Sequence, residues 1–246
     1  GGGGSTTPVP PQPVIPMAIS GSPPSPPIDD SPCARTANLS VKLWSQCQDI
    51  AMTCLNHPFV RGIGDGTLPS DYFRFYVKQD AFFLESFARA YTIAAAKCRD
   101  FESFRNLLGL ANAVLTERTL HESYAARWGV QLKNATPAPA TKRYLDFLIA
   151  TAWTNDVGLT AAAMAPCMRL YAYLGQNTKN VSSGINPYSD WLATYSSSDF
   201  EASARQLESI IDKHLQTRLE ESLHVFRYAM VCEKEFFDAA WTQQIE

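Results

Sequence analysis

Two carboxylates stand where a helical repeat calls for apolar side chains. Asp80 falls in the run Phe73, Tyr76, Val77, Phe83, Leu84 and Phe87, spaced three and four apart as on one helix face. Glu233 falls in the same way among Phe226, Met230, Phe237 and Trp241. Buried, ionised and unpaired, either would be costly, and neither Lys78 nor Arg89 shares the Asp80 face. An ion pair across the bundle, or a tyrosine hydroxyl, would account for each one singly. Two such cases in one small protein point instead to a shared cavity.

A thiol belongs to the same picture. In "AAAMAPCMRLYAYLG", residues 161 to 175, Cys167 follows Pro166 inside an apolar helical run. A proline there removes a backbone donor at a cost of about 3 kcal/mol. A kink at that point would re-aim Cys167 towards the cavity; alternatively, the helix begins at Pro166, where proline is tolerated. Tyr171 follows Cys167 by one turn, and Tyr144 shares a stripe with Phe147, Leu148 and Thr151. Each alone reads as core. Together they describe an aromatic pocket with two acids and one thiol. Such walls suit a flat ring, and a carboxylate suits a paired N–H edge such as the N=C–NH2 of an aminopyrimidine. A thiol beside an electron-poor ring can add to it covalently. The chemistry allows an aminopyrimidine without requiring one.

The elements that position these residues read as helices almost throughout. A first helix is expected over 40–57, capped by Ser40. A turn-rich connection follows, "PFVRGIGDGTLPSD", with three glycines between two prolines. Long helices are expected over 71–97 and 100–128, then a loop, then helices over 141–154 and 157–175. A polar loop, a short helix around Trp191 and a C-terminal stretch from Ser198 to Gln243 in two pieces complete the chain. With no strand alternation and no internal repeat, the fold class is all-α, a single helical bundle spanning 37–246. Residues 1–36 read as a disordered Pro/Gly/Ser-rich leader or linker; ten of the sixteen prolines lie in its first 34 residues.

Composition narrows the function classes. With 21 Lys and Arg against 24 Asp and Glu, scattered along 246 residues, the chain has no basic stripe for nucleic acid and no polybasic segment for an anionic membrane. It has no apolar run of membrane-spanning length. The six cysteines form no C-x-x-C pair and no zinc spacing, which fits reduced thiols in an intracellular protein. The compartment is read as cytoplasmic, with a plastid or mitochondrion left open because the chain starts at Gly1.

Five segments then carry a resemblance: "HPFVRGIGDGTLPSDYFRFYVKQDAFFLESFARAY", "RYLDFLIATA", "APCMRLYAYLG", "NPYSDWLATYSSSDF" and "CEKEFFDAAW". In this order, from about Leu43 to Trp241, they resemble the TenA, or thiaminase II, family. The resemblance implies a haem-oxygenase-like α-bundle without haem, usually a homotetramer. Its implied activity is hydrolysis of thiamin-breakdown aminopyrimidines, such as 4-amino-5-aminomethyl-2-methylpyrimidine, to hydroxymethylpyrimidine, with no cofactor or metal. Carried over by motif, Asp80 of "KQD" would hold the pyrimidine's amino edge and Tyr144 of "RYLDF" would stack on the ring. Cys167 of "PC" would be the nucleophile, Tyr195 of "ATY" a pocket tyrosine near it, and Glu233 of "CEKEFF" the proton donor. Tyr171 and Phe236 would line the pocket. Phe83 stands where the family often has tyrosine, which affects substrate range more than chemistry. Cys167 itself marks the cysteine-bearing branch.

Two other readings of the same chain remain. Glu117 with His121, and Glu221 with His224, have the spacing of metal ligands and allow a di-iron oxidase on the same bundle. A pyrimidine-binding domain without turnover, within a larger thiamin-metabolism protein, is the other. In plants a similar domain is fused to a phosphatase acting on thiamin monophosphate, and such a fused or adjacent phosphatase domain is a possible partner here.

Overall fold

A computed structural model describes residues 38–243, so the expected Pro/Gly/Ser-rich leader lies outside the described residues. The described residues form ten α-helices and no strand. In chain order these are α1 (Leu39–Ser45), α2 (Gln48–Leu55), α3 (Pro58–Asp65), α4 (Ser70–Lys97) and α5 (Phe101–Arg127). They continue with α6 (Pro139–Thr154), α7 (Val157–Asn177), α8 (Ser189–Tyr195), α9 (Ser198–Leu215) and α10 (Leu219–Thr242). The all-α expectation holds. No helix among the described residues is long and apolar enough to cross a membrane.

Local chemistry explains most of the boundaries. Asp100, Asp156 and Ser197 cap α5, α7 and α9 by accepting the backbone N–H of Ser103, Leu159 and Phe200. The Lys97 ammonium, at the end of α4, donates to the carbonyls of Ala152, Trp153 and Asn155 and so closes the C-terminus of α6.

Four expectations need correction. The first helix is two, because the chain turns at Gln46 and Cys47 between α1 and α2. Ser40 is not its cap. It lies inside α1 and gives both its N–H and its hydroxyl to Asp212 of α9, at 2.8 and 2.9 Å. The glycine-rich connection is also largely helical. Pro58 occupies the first turn of α3, His57 Nδ1 accepts the Phe59 N–H, and Gly66 ends the helix in the left-handed region at φ 77°. Finally, Pro166 lies within an unbroken α7, so the helix does not start there.

Helix α7 is the centre of the bundle. From Val157 to Gly175 nearly every side chain is buried, as expected of a helix surrounded by others. It packs against α9 and α10 most extensively, then α8, α6, α4 and α2. Helix α4 joins it to α5 and α6. Such enclosure explains why an interior proline survives: packing on every side outweighs one lost backbone hydrogen bond.

Candidate active site

Four helices bring the chemical residues together. Helix α4 supplies Asp80 and Phe83, α6 supplies Tyr144, α7 supplies Cys167 and Tyr171, and α10 supplies Glu233 and Phe236. The short α8 adds Tyr195. All eight are at most 5 % exposed. Sequence spacing alone had put Asp80 and Glu233 on separate apolar stripes; packing of α4 against α7 and α10 turns both stripes into one interior.

Glu233 is the hub. Its Oε1 accepts a hydrogen bond from the Tyr144 hydroxyl at 2.7 Å, and the Cys167 thiol lies beside the same carboxyl. Burial pushes Glu233 up to about 7, while these two donors pull the other way. The Cys167 thiol is raised well above its ordinary range by burial first, then by the neighbouring Glu233 charge. It is therefore a protonated thiol poised on a carboxyl group, not a free thiolate. Tyr144 stands edge-on to Phe83 at 5.1 Å, and its hydroxyl bond to Glu233 could not be read from its own stripe.

Asp80 has neither the ion pair nor the tyrosine bond that would make it structural. Its Oδ2 is buried without a hydrogen-bond partner among the described residues. Burial and then the charge of Glu233 hold its carboxyl well above the carboxylate range. An orphaned carboxyl oxygen in a closed site is an unmade bond, which a ligand's N–H can complete. The remaining walls are aromatic. Phe83 meets Phe236 edge-on at 5.1 Å, and Tyr195 meets Tyr171 edge-on at 4.9 Å.

Tyr76 and Trp191 were not singled out for this site. The Tyr76 hydroxyl pairs with that of Tyr171 at 2.7 Å, and the Trp191 ring lies 5.7 Å from Tyr171. The signal for Tyr76 was available: it precedes Asp80 by one helical turn on the same face.

The metal-ligand pairs do not converge. Glu117 and His121 are buried on α5, where His121 Nε2 donates to the Val77 carbonyl at 3.1 Å. Glu221 and His224 are exposed on α10, and Glu221 pairs with Arg218. No three His, Cys, Asp or Glu side chains among the described residues are grouped to hold a metal ion. The di-iron reading thus lacks its ligand set among these residues.

The all-α bundle is a fold with known counterparts. The fold matches that of a TenA homologue protein from P. horikoshii OT3, with a TM-score of 0.78 and 25% identity over 84% of this chain and 100% of that one. A heme oxygenase-like domain from Shewanella denitrificans shares the fold at TM-score 0.65 and 16% identity, covering 83% of this chain and 91% of that one. The chain belongs to the TENA/THI-4/PQQC family, whose model matches residues 44–243. Among curated relatives, the bifunctional TH2 protein, mitochondrial, of Arabidopsis thaliana is 33% identical over 80% of this chain and 36% of its own length. An aminopyrimidine aminohydrolase of Halalkalibacterium halodurans is 29% identical over 85% of this chain and 97% of its own length. The chain spans about a third of the first, multifunctional relative.

Proposed function

We propose that this protein hydrolyses thiamin-breakdown aminopyrimidines, releasing hydroxymethylpyrimidine, by covalent catalysis at Cys167. The carrying observation is the Tyr144–Glu233 hydrogen bond with the Cys167 thiol beside it and the orphaned Asp80 oxygen, walled by aromatic rings. The relationship to a curated aminopyrimidine aminohydrolase along nearly the whole of that enzyme supports the same substrate class.

The pyrimidine enters flat between the rings of Phe83, Tyr144 and Phe236. Asp80 takes its N=C–NH2 edge, accepting from the amino group and sharing one proton with the ring nitrogen. Glu233 then takes the thiol proton from Cys167 as sulfur bonds to ring carbon 6. Glu233 passes that proton to the adjacent ring nitrogen, acting first as base and then as acid. Electrons from the 4-amino group next expel the ammonium substituent from the methylene as ammonia, leaving an exocyclic C=C bond. Water adds to this methylene carbon, and its surplus proton ends on the ammonia. The ring-nitrogen proton returns through Glu233 to sulfur as the C–S bond breaks and the aromatic ring re-forms. Atoms and protons balance, and the enzyme is returned as it began.

Assembly as a homotetramer and a fused thiamin-related domain belong to the same proposal. The second is supported by the multifunctional relatives, of which this chain corresponds to one part. A mitochondrial relative supports an organellar location beside the cytoplasmic one. The deciding experiment compares hydroxymethylpyrimidine release from 4-amino-5-aminomethyl-2-methylpyrimidine and from thiamin, for the wild type and Cys167→Ala. Turnover by the wild type alone supports the reading, and the faster substrate names its role. No turnover of either leaves a binding domain.

A further inference from the structure

We propose that the Tyr76–Tyr171 hydroxyl pair, together with the Trp191 indole N–H, holds the water that adds to the methylene and carries away its proton. This rests on the hydrolase reading above and assigns a step that reading leaves without a residue.

Elimination comes first. Once sulfur is bonded to the ring, Glu233 has passed its proton to the ring nitrogen and stays engaged with that N–H, whose proton it later returns to sulfur. The Tyr144 hydroxyl is committed to Glu233. Asp80 is committed to the amino edge. None of the three is free to position water or accept its proton.

The position fits. Tyr76 lies one turn before Asp80 on α4, and Tyr171 lies one turn after Cys167 on α7. Side chains four apart on a helix are roughly 6 Å apart at Cβ, so each tyrosine borders the group it follows or precedes. The hydroxyls meet across the two helices at 2.7 Å, both fully buried. The Tyr76 ring packs on Phe236 at 5.5 Å and the Tyr171 ring on Tyr195 at 4.9 Å, which ties the pair to both walls of the site.

Hydrogen-bond bookkeeping supplies the ligand's chemistry. Two hydroxyls carry two protons, and their mutual bond uses one. The Trp191 indole N–H lies beside the Tyr76 hydroxyl and is buried without a hydrogen-bond partner among the described residues. Spare donors and spare lone pairs therefore gather in a buried site. A water molecule, with two donors and two acceptors, satisfies such a group. Burial holds both tyrosines well above their ordinary range, so they stay neutral. Neutral hydroxyls move a proton by exchange: one oxygen accepts the water's proton while the pair gives up another, which passes to the departed ammonia. No net charge remains on tyrosine.

The test is Tyr76→Phe, which keeps the ring and removes one hydroxyl, with rapid-quench measurement of ammonia and hydroxymethylpyrimidine. The wild type should release the two together. The variant should release about one equivalent of ammonia per site in a burst, form hydroxymethylpyrimidine at least about tenfold more slowly, and accumulate a pyrimidine adduct on Cys167 by intact mass. A variant with wild-type rates, or one slowed without burst or adduct, overturns the assignment. If Tyr76→Phe fails to fold, Tyr171→Phe removes the partner hydroxyl and is read in the same way. A wild type without turnover removes the hydrolase reading and this step with it; normal wild-type turnover with an unaltered variant removes this step alone.

Discussion

At the scale of residues, the site works by sharing few protons among many groups. The thiol is protonated and Glu233 is poised near 7, so the competent form holds one proton between them. Activity should be lost as pH falls below about 7, where Glu233 becomes protonated and can no longer take the thiol proton. In a pH profile of kcat/KM, the Tyr144→Phe variant should move that limb to higher pH. The sign follows because the Tyr144 hydroxyl stabilises the ionised carboxyl, and its loss raises Glu233. Glu233→Gln should remove the limb and cost about 10²–10⁴ in rate, the range for a positioned acid–base group. Cys167→Ser should leave turnover near background, since a hydroxyl in the same dry setting is a far weaker nucleophile.

At the scale of elements, the site depends on how closely α8 and α10 lie against α7. Gly175 shows this most directly. A Cβ built there would come within 2.3 Å of the Tyr195 carbonyl carbon, so only glycine lets α8 dock. Gly175→Ala should therefore displace the helix that carries Trp191 and Tyr195. We expect a stability loss of about 1–3 kcal/mol, as for other overpacked contacts, with kcat falling more than that loss alone explains. Thermal melts and steady-state kinetics on the folded variant measure the two effects separately. Across the bundle, Arg169 of α7 holds Glu201 at 2.7 Å and Glu208 of α9, and fixes the helix that presents Cys167. Three half-buried charges are involved, so removal of one would leave others without their partner.

At the scale of the whole molecule, the site costs stability in exchange for chemistry. Asp80 and Glu233 are both held above their unfolded values by burial, and Asp80 also by the charge of Glu233. The folded chain therefore binds more protons than the unfolded chain between about pH 4 and 7, and stability falls as pH rises through that window. For Glu233 alone the effect is roughly 3 kcal/mol, at 1.36 kcal/mol per pKa unit. Melting temperature should decline from pH 5 to pH 7.5, and Asp80→Asn with Glu233→Gln should flatten that decline. An aminopyrimidine ligand should raise the melting temperature of the wild type by completing the Asp80 bond, and Asp80→Asn should abolish most of that gain.

Helical periodicity in the sequence determined the bundle, since apolar stripes three and four apart can be buried only against one another. The anomalies at Asp80, Glu233 and Cys167 were legible for the same reason: a polar residue on an apolar stripe is visible from spacing alone. The role of His57 as cap of α3 was not, because a two-turn helix rich in glycine has no periodicity to read. Only the tertiary structure decided that the stripes of α4, α7 and α10 meet in one interior, and that Tyr144 reaches Glu233 across 89 positions of sequence. It also decided the pairing of Tyr76 with Tyr171, and that Glu117 is buried while Glu221 is exposed. Spacing along a helix fixes which residues share a face; which faces meet depends on the packing of whole helices, and no local repeat encodes that.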